Sequence, residues 1–200
     1  MKKMPLLFSG IAVLLALSGC GGYPVRAEDG TAWNQSWEML GRVLGMEEPG
    51  NGFTLLENNV VLGADDTWYA TWTYGEPEPY VNEDGKDTDL YPAQIYLLLY
   101  GCENEARAAE ASADWIAREQ ETYRVLETRT EAYNGQEYTV LVYEVTSEAN
   151  PYARGVSAFA VYHNYVAVAE LTSVDSFAGD EQKLIADFLN GCHYSADRIR

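Results

Sequence analysis

Histidine, cysteine and basic residues are all scarce in this chain. Its 200 residues include two His, three Cys, and 13 Lys and Arg against 31 Asp and Glu. Each shortage closes a class of function. With only His163 and His193 on offer, Ser-His-Asp and Cys-His catalysis has little to build on; His163 falls in an expected hairpin turn and His193 in the C-terminal tail. Within Gly155-Val156-Ser157-Ala158-Phe159, Phe159 stands where a nucleophile elbow has its second glycine, and no strand-to-helix turn is expected there. Cys102, Cys192 and His193 lack zinc-ligand spacing, so no metal centre is expected from them. No Gly-rich phosphate loop and no internal repeat occur, and no cofactor is implied. A net charge of −18 repels nucleic-acid phosphates and anionic headgroups, which excludes nucleic-acid binding and a basic membrane-contacting patch.

What the chain does have begins at its N-terminus. Lys2 and Lys3 precede an apolar run from Leu6 to Leu17, and small residues then lead to Cys20. These are the charged start, apolar middle and small-residue cleavage zone of a secretory signal. As a helix the run is only about 18 Å long, too short for a bilayer core of about 30 Å. The residues Leu17-Ser18-Gly19-Cys20 resemble the lipobox of bacterial lipoproteins. That resemblance implies cleavage between Gly19 and Cys20 and a diacylglycerol on the Cys20 sulfur. It also implies a protein anchored on the extracytoplasmic face of the cell membrane. One acyl chain binds a membrane marginally, whereas two or more hold it stably. Gly21, rather than Asp, follows the cysteine, so an inner-membrane retention signal is lacking. Loss of Lys2 and Lys3 with the signal takes the charge from −18 to about −20.

The expected organisation is a signal peptide over 1–19, a lipidated Cys20 with a Gly- and Pro-containing tether over 20–30, and one globular domain over 31–200. If flexible, the tether holds the domain on the order of 15–20 Å from the anchor. Hydrophobic residues make up 47% of the chain, enough for one core without staples. Cys102 and Cys192 both follow a glycine. In an exported protein they are candidates for one disulfide; two separate buried thiols fit the spacing equally well.

Periodicity places a helix from Thr31 to about Leu44, strands over Phe53–Leu62 and Thr67–Tyr74, and a long polar loop from Gly75 to about Pro92. Gln94–Tyr100 is apolar on both faces and reads as a central strand. A helix is expected from Glu103 to about Thr122 with a core stripe of Ala106, Ala109, Ala113, Ile116 and Ala117. Arg124–Glu131 and Gln136–Val145 read as a hairpin about Asn134-Gly135, and Val156–Tyr162 with Tyr165–Thr172 as another about His163-Asn164. A closing helix is expected from about Ser176 to Asn190. Short strand-to-strand turns make the sheet mainly antiparallel with helices packed on it, an α+β domain. From roughly Phe53 to Tyr194 this order resembles the layered sandwich of the Mog1/PsbP-like fold; a cystatin-like or NTF2-like curved sheet is the alternative. Mog1/PsbP-like proteins are mostly small binding or assembly modules, which implies a non-enzymatic role.

Two clusters have binding chemistry. The loop Glu76–Asp89 gathers hard oxygen ligands, but aligning Gly85 with the glycine of an EF-hand puts Tyr80 and Tyr91 where carboxylates are required, leaving a solvated loop or an irregular Ca²⁺ site. Trp68, Trp72 and Tyr74 share one strand face, where they form either core or an aromatic platform for stacking sugars or peptides, while Thr67, Thr71 and Thr73 on the other face suit exposure to water. The expected function is a non-enzymatic, membrane-anchored module with a protein partner in the cell envelope; the alternative is a small-ligand or glycan-binding accessory lipoprotein.

Overall fold

The computed structural model describes residues 52–56, 61–62, 67–82, 84–147 and 150–191. The signal segment with Gly19 and Cys20, the tether, the helix expected from Thr31, and Cys192 with His193 lie outside these residues. Strand β1 (Phe53–Leu55) and strand β2 (Val61–Leu62) both pair with β3 (Thr67–Tyr74). The remaining elements are β4 (Glu78–Val81), β5 (Asp87–Leu90), β6 (Ala93–Gly101), α1 (Glu105–Thr122), β7 (Arg124–Tyr133), β8 (Gln136–Glu144), β9 (Tyr152–Tyr162), β10 (Tyr165–Val174) and α2 (Glu181–Asn190). The main sheet runs β1-β3-β6-β10-β9-β8-β7 with every pairing antiparallel, so the domain is α+β.

Alternation along the central strands sets the layers, because successive side chains point to opposite faces. Ile95, Leu97 and Leu99 of β6, Ala167, Ala169 and Leu171 of β10, and Val156, Ala158 and Ala160 of β9 share one core with Leu184, Ile185, Phe188 and Leu189 of α2. The intervening residues Leu98, Tyr100, Val166, Val168 and Phe159 join Leu141 and Tyr143 of β8 and Ala108 and Trp115 of α1 in a second core. One helix therefore covers each face of the sheet.

Local chemistry closes the elements. Asn104 caps α1, its Oδ1 accepting from the Arg107 N–H at 3.0 Å. Asp180 does the same for α2 through the Lys183 N–H at 3.0 Å. Asn134 (φ 48°) and Gly135 (φ 79°) supply the positive dihedrals that a two-residue hairpin turn requires.

Four expectations are corrected. The single strand over Phe53–Leu62 is two short ones, β1 and β2. The polar loop after Gly75 contains the ribbon β4–β5, turned by Asn82, whose Oδ1 accepts from the N–H groups of Asp84 and Lys86. The buried stripe of α1 is Ala108, Ser112 and Trp115, while Ala106, Ala109, Ala113 and Ala117 face solvent. Trp115 decides this rotation: it has the largest apolar area on the helix and packs edge-on against Tyr100 at 5.3 Å. Thr71 and Thr73, expected to face water, are buried, because β3 is an interior strand between β1 and β6.

Trp72 is wholly buried and meets Phe188 of α2 edge-on at 4.9 Å. Trp72→Ala should therefore cost about 3–5 kcal/mol of stability, read from denaturant unfolding. A change within about 0.5 kcal/mol would contradict this packing.

Candidate functional site

The polar residues that fall on the α1 face of the central strands lie beneath the helix, Ser157 wholly buried and Glu170 half-buried. Glu170 follows Val166 and Val168 at the spacing of two that keeps it beneath α1, and Ser157 of β9 is its direct cross-strand partner. From above, the buried stripe of α1 continues from Trp115 to Glu119, four residues on, and then to Tyr123 at the helix end. Two carboxyls, a serine and a tyrosine thus converge between helix and sheet. Tyr143 of β8 completes the group: its hydroxyl donates to Glu170 Oε1 at 2.5 Å.

Tyr143 reaches that carboxylate from two strands away. Its ring lies across β9 over Gly155, its cross-strand partner. A Cβ at position 155 would lie 2.3 Å from Tyr143 Cζ and 2.4 Å from its hydroxyl oxygen. The missing side chain makes the crossing possible. Tyr123 stacks on the same ring, with centroids 4.3 Å apart and planes 9° from parallel.

Burial dominates the electrostatics. It pushes the Glu119 carboxyl well above its ordinary value of 4.5, the Glu170 charge pushes the same way, and the Ser157 hydroxyl beside it pulls back. Glu170 is likewise raised by burial, with the Tyr143 hydroxyl opposing. Burial and the Glu170 charge raise both Tyr143 and Tyr123, which therefore remain protonated donors. Glu119 Oε2 and Ser157 Oγ are sealed from solvent without a well-formed hydrogen bond. With these two atoms sealed, the chemistry the group offers is to hold a proton.

The residues singled out in the sequence lie elsewhere. Cys102 is buried at the end of β6, where its N–H donates to Asn164 O at 2.7 Å and its carbonyl accepts from Asn164 Nδ2 at 2.8 Å. Its candidate disulfide partner Cys192, like Gly19 and Cys20, is outside the described residues. The aromatic platform is corrected for Trp72, which is core. Tyr74 is half-buried against Phe53 and Phe177, and Trp68 contributes backbone to β3, its side chain lying outside the description. The acidic side chains described along Glu76–Asp89 are exposed on the β4–β5 ribbon. Among the described residues no three His, Cys, Asp or Glu gather as metal ligands. Sequence reasoning missed Glu119 and Glu170. The available signals were an acid interrupting the apolar run of β10 and an acid one turn beyond Trp115.

Gly155→Ala should destabilise the domain by about 1–3 kcal/mol, the usual cost of overpacking. In a Tyr143→Ala background, where the ring is gone, the same change should cost less than half as much. Denaturant unfolding of the four-member cycle checks it, and additive effects would disprove the contact.

No protein-family model matches this chain, and no curated protein matches it. Among solved structures it is similar to the protein of unknown function PA94 from Pseudomonas aeruginosa. The two share 14% identity and a TM-score of 0.36 over 58% of this chain and 95% of the other.

Proposed function

We propose that this chain is a non-enzymatic lipoprotein, held on the extracytoplasmic face of the cell membrane by lipid on Cys20, whose α+β domain binds a protein partner of the cell envelope. The observation that carries the anchoring is Leu17-Ser18-Gly19-Cys20 behind a charged and then apolar leader. For the partner, the supporting feature is strand β7. It ends the strand order, and among the described residues its outer backbone edge is unpaired. An edge of ten residues is a ready template for an added strand. At its bulge, between Val125 and Glu127, Leu126 is 55% exposed. Arg129 pairs with both Glu127 and Glu131, which leaves this stretch of the strand with one net negative charge.

The finer fold assignment belongs to the same reading. A strand pair, a central strand, a helix, a four-strand meander and a closing helix, with one helix on each face, support a Mog1/PsbP-like sandwich. The glycan-binding alternative drew on Trp68, Trp72 and Tyr74, and the burial of Trp72 removes its central member.

Cys20→Ala should abolish incorporation of labelled fatty acid and leave the precursor uncut; undiminished label would refute the anchor. In membranes, crosslinking with the intact lipoprotein as bait should capture an envelope protein. Leu126→Asp should weaken that capture while stability stays within about 0.5 kcal/mol of wild type. Capture unaffected by the change would remove β7 from the proposal.

A further inference from the structure

The α1 face of the sheet sets two half-buried acidic side chains between helix and strands and surrounds them with neutral groups. Glu119 and Tyr123 face the site from α1, Tyr143 from β8, Ser157 from β9 and Glu170 from β10, with Tyr96 of β6 directly opposite Glu170 in register. The cationic side chains nearest in the chain are engaged or exposed elsewhere. Arg118 points to solvent, and Arg124 is exposed and pairs with Glu144 at 2.8 Å. Arg154 of β9 serves the opposite face, where it pairs with Glu181 at 3.2 Å.

We propose that Glu119 and Glu170 form a proton-binding site that takes up one proton and thereby clamps the C-terminal end of α1 to the sheet. Three observations carry it. Glu170 Oε1 already accepts from Tyr143, which fixes that carboxyl as the acceptor partner. Glu119 Oε2 is sealed and lacks a partner, which suits a carboxylic O–H better than a charged oxygen. Ser157 Oγ is wholly buried and completes no hydrogen bond of its own, so it is placed to accept the proton that Glu119 then donates. Burial raises both carboxyls and the Glu170 charge raises Glu119 further, so the two titrate together. The device adds to the membrane-anchored reading and does not depend on it.

The sign follows from linkage. In the unfolded chain both carboxyls ionise near their ordinary value of 4.5, whereas in the fold the pair keeps its proton to higher pH. Unfolding therefore releases a proton over that interval, and the folded state loses stability as pH rises. One proton released corresponds to a tenfold rise in the unfolding constant per pH unit.

The experiment is denaturant unfolding of the full domain at pH 5, 6, 7 and 8 for wild type and Glu119→Gln, whose amide stands in for the protonated acid. Wild type should lose stability as pH rises, approaching the tenfold limit per unit until the pair itself ionises, and Glu119→Gln should be several-fold flatter and the more stable of the two at pH 8. Equal slopes would overturn the proposal. Side-chain carboxyl ¹³C shifts of wild type supply a readout that needs no variant: one glutamate should ionise well above the ordinary 4.5, and ionisation of both in the ordinary carboxylate range would overturn it. Repeating the pH 8 measurement with Ca²⁺ separates the remaining source of positive charge. Restored stability with a flattened slope would identify a metal ion as the ligand and refute the proton; no effect supports it.

Discussion

Three adjacent strands, β6, β10 and β9, are apolar on both faces, and the rest of the architecture follows from the need to cover them twice. Neither face is able to lie against water, so a helix must pack on each: α1 on one side, α2 on the other. Fully burying a Leu, Ile or Phe side chain contributes roughly 1.5–3 kcal/mol, and both cores hold several. The same double cover fixes the fate of any polar residue placed on these strands. It becomes an interior residue, whatever its charge.

The two faces meet that problem differently. On the α2 side, Ser173 of β10 donates to Glu181 Oε1 at 2.8 Å, and Arg154 supplies the opposing charge while also donating to the Phe177 carbonyl at 2.9 Å. The acid there has a cation. On the α1 side, Glu119 and Glu170 are met by serine and tyrosine hydroxyls, of which Tyr143 donates to Glu170, and none carries a charge. An ionised carboxylate taken out of water without a countercharge is costly enough that proteins usually neutralise it by protonation. The structural investment is visible in the backbone. Gly155 gives up its side chain so that the Tyr143 ring can cross β9, and Tyr123 then stacks on that ring to close the site from above.

Strand and helix limits were legible in the sequence wherever one physical signal dominated. Thr67–Tyr74 alternates cleanly and is β3 as read; Asn134-Gly135 is the turn its dihedral preferences require. The α1 stripe was read wrongly for a reason that also hid the site. A search for apolar periodicity discards a face carrying Ser112 and Glu119, and so prefers the run of alanines, although the true face carries Trp115. Glu170 was passed over in the same way, as an ordinary polar position in a strand. Its burial comes from a helix that is distant in sequence, and no local pattern encodes that. The β4–β5 ribbon escaped because its strands are short, exposed and acidic, and only the Asn82 turn and the cross-strand pairing hold them. Aromatic residues were the more ambiguous signal. Trp72 and Tyr74 share a strand face, yet Trp72 lies against Phe188 of α2 and is core, whereas Tyr74 packs against Phe53 and Phe177 and is half-buried.

The position of the acidic pair also relates it to the sheet edge. Glu119 lies in the last turn of α1; its carbonyl accepts from the Tyr123 N–H at 2.9 Å, and Arg124, the next residue, begins β7. Val125 of β7 packs into the same core as Tyr143 and Tyr123. Helix end, acidic pair and edge strand therefore form one continuous stretch of structure. Any displacement of α1 by ionisation of the pair moves the start of β7, next to exposed Leu126. A partner strand added along that edge would in turn hold Tyr123 and Tyr143 in place over Glu170. If ionisation of the pair displaces the helix end, linkage makes the two effects reciprocal: what favours the protonated pair favours the ordered edge, and an occupied edge favours the proton.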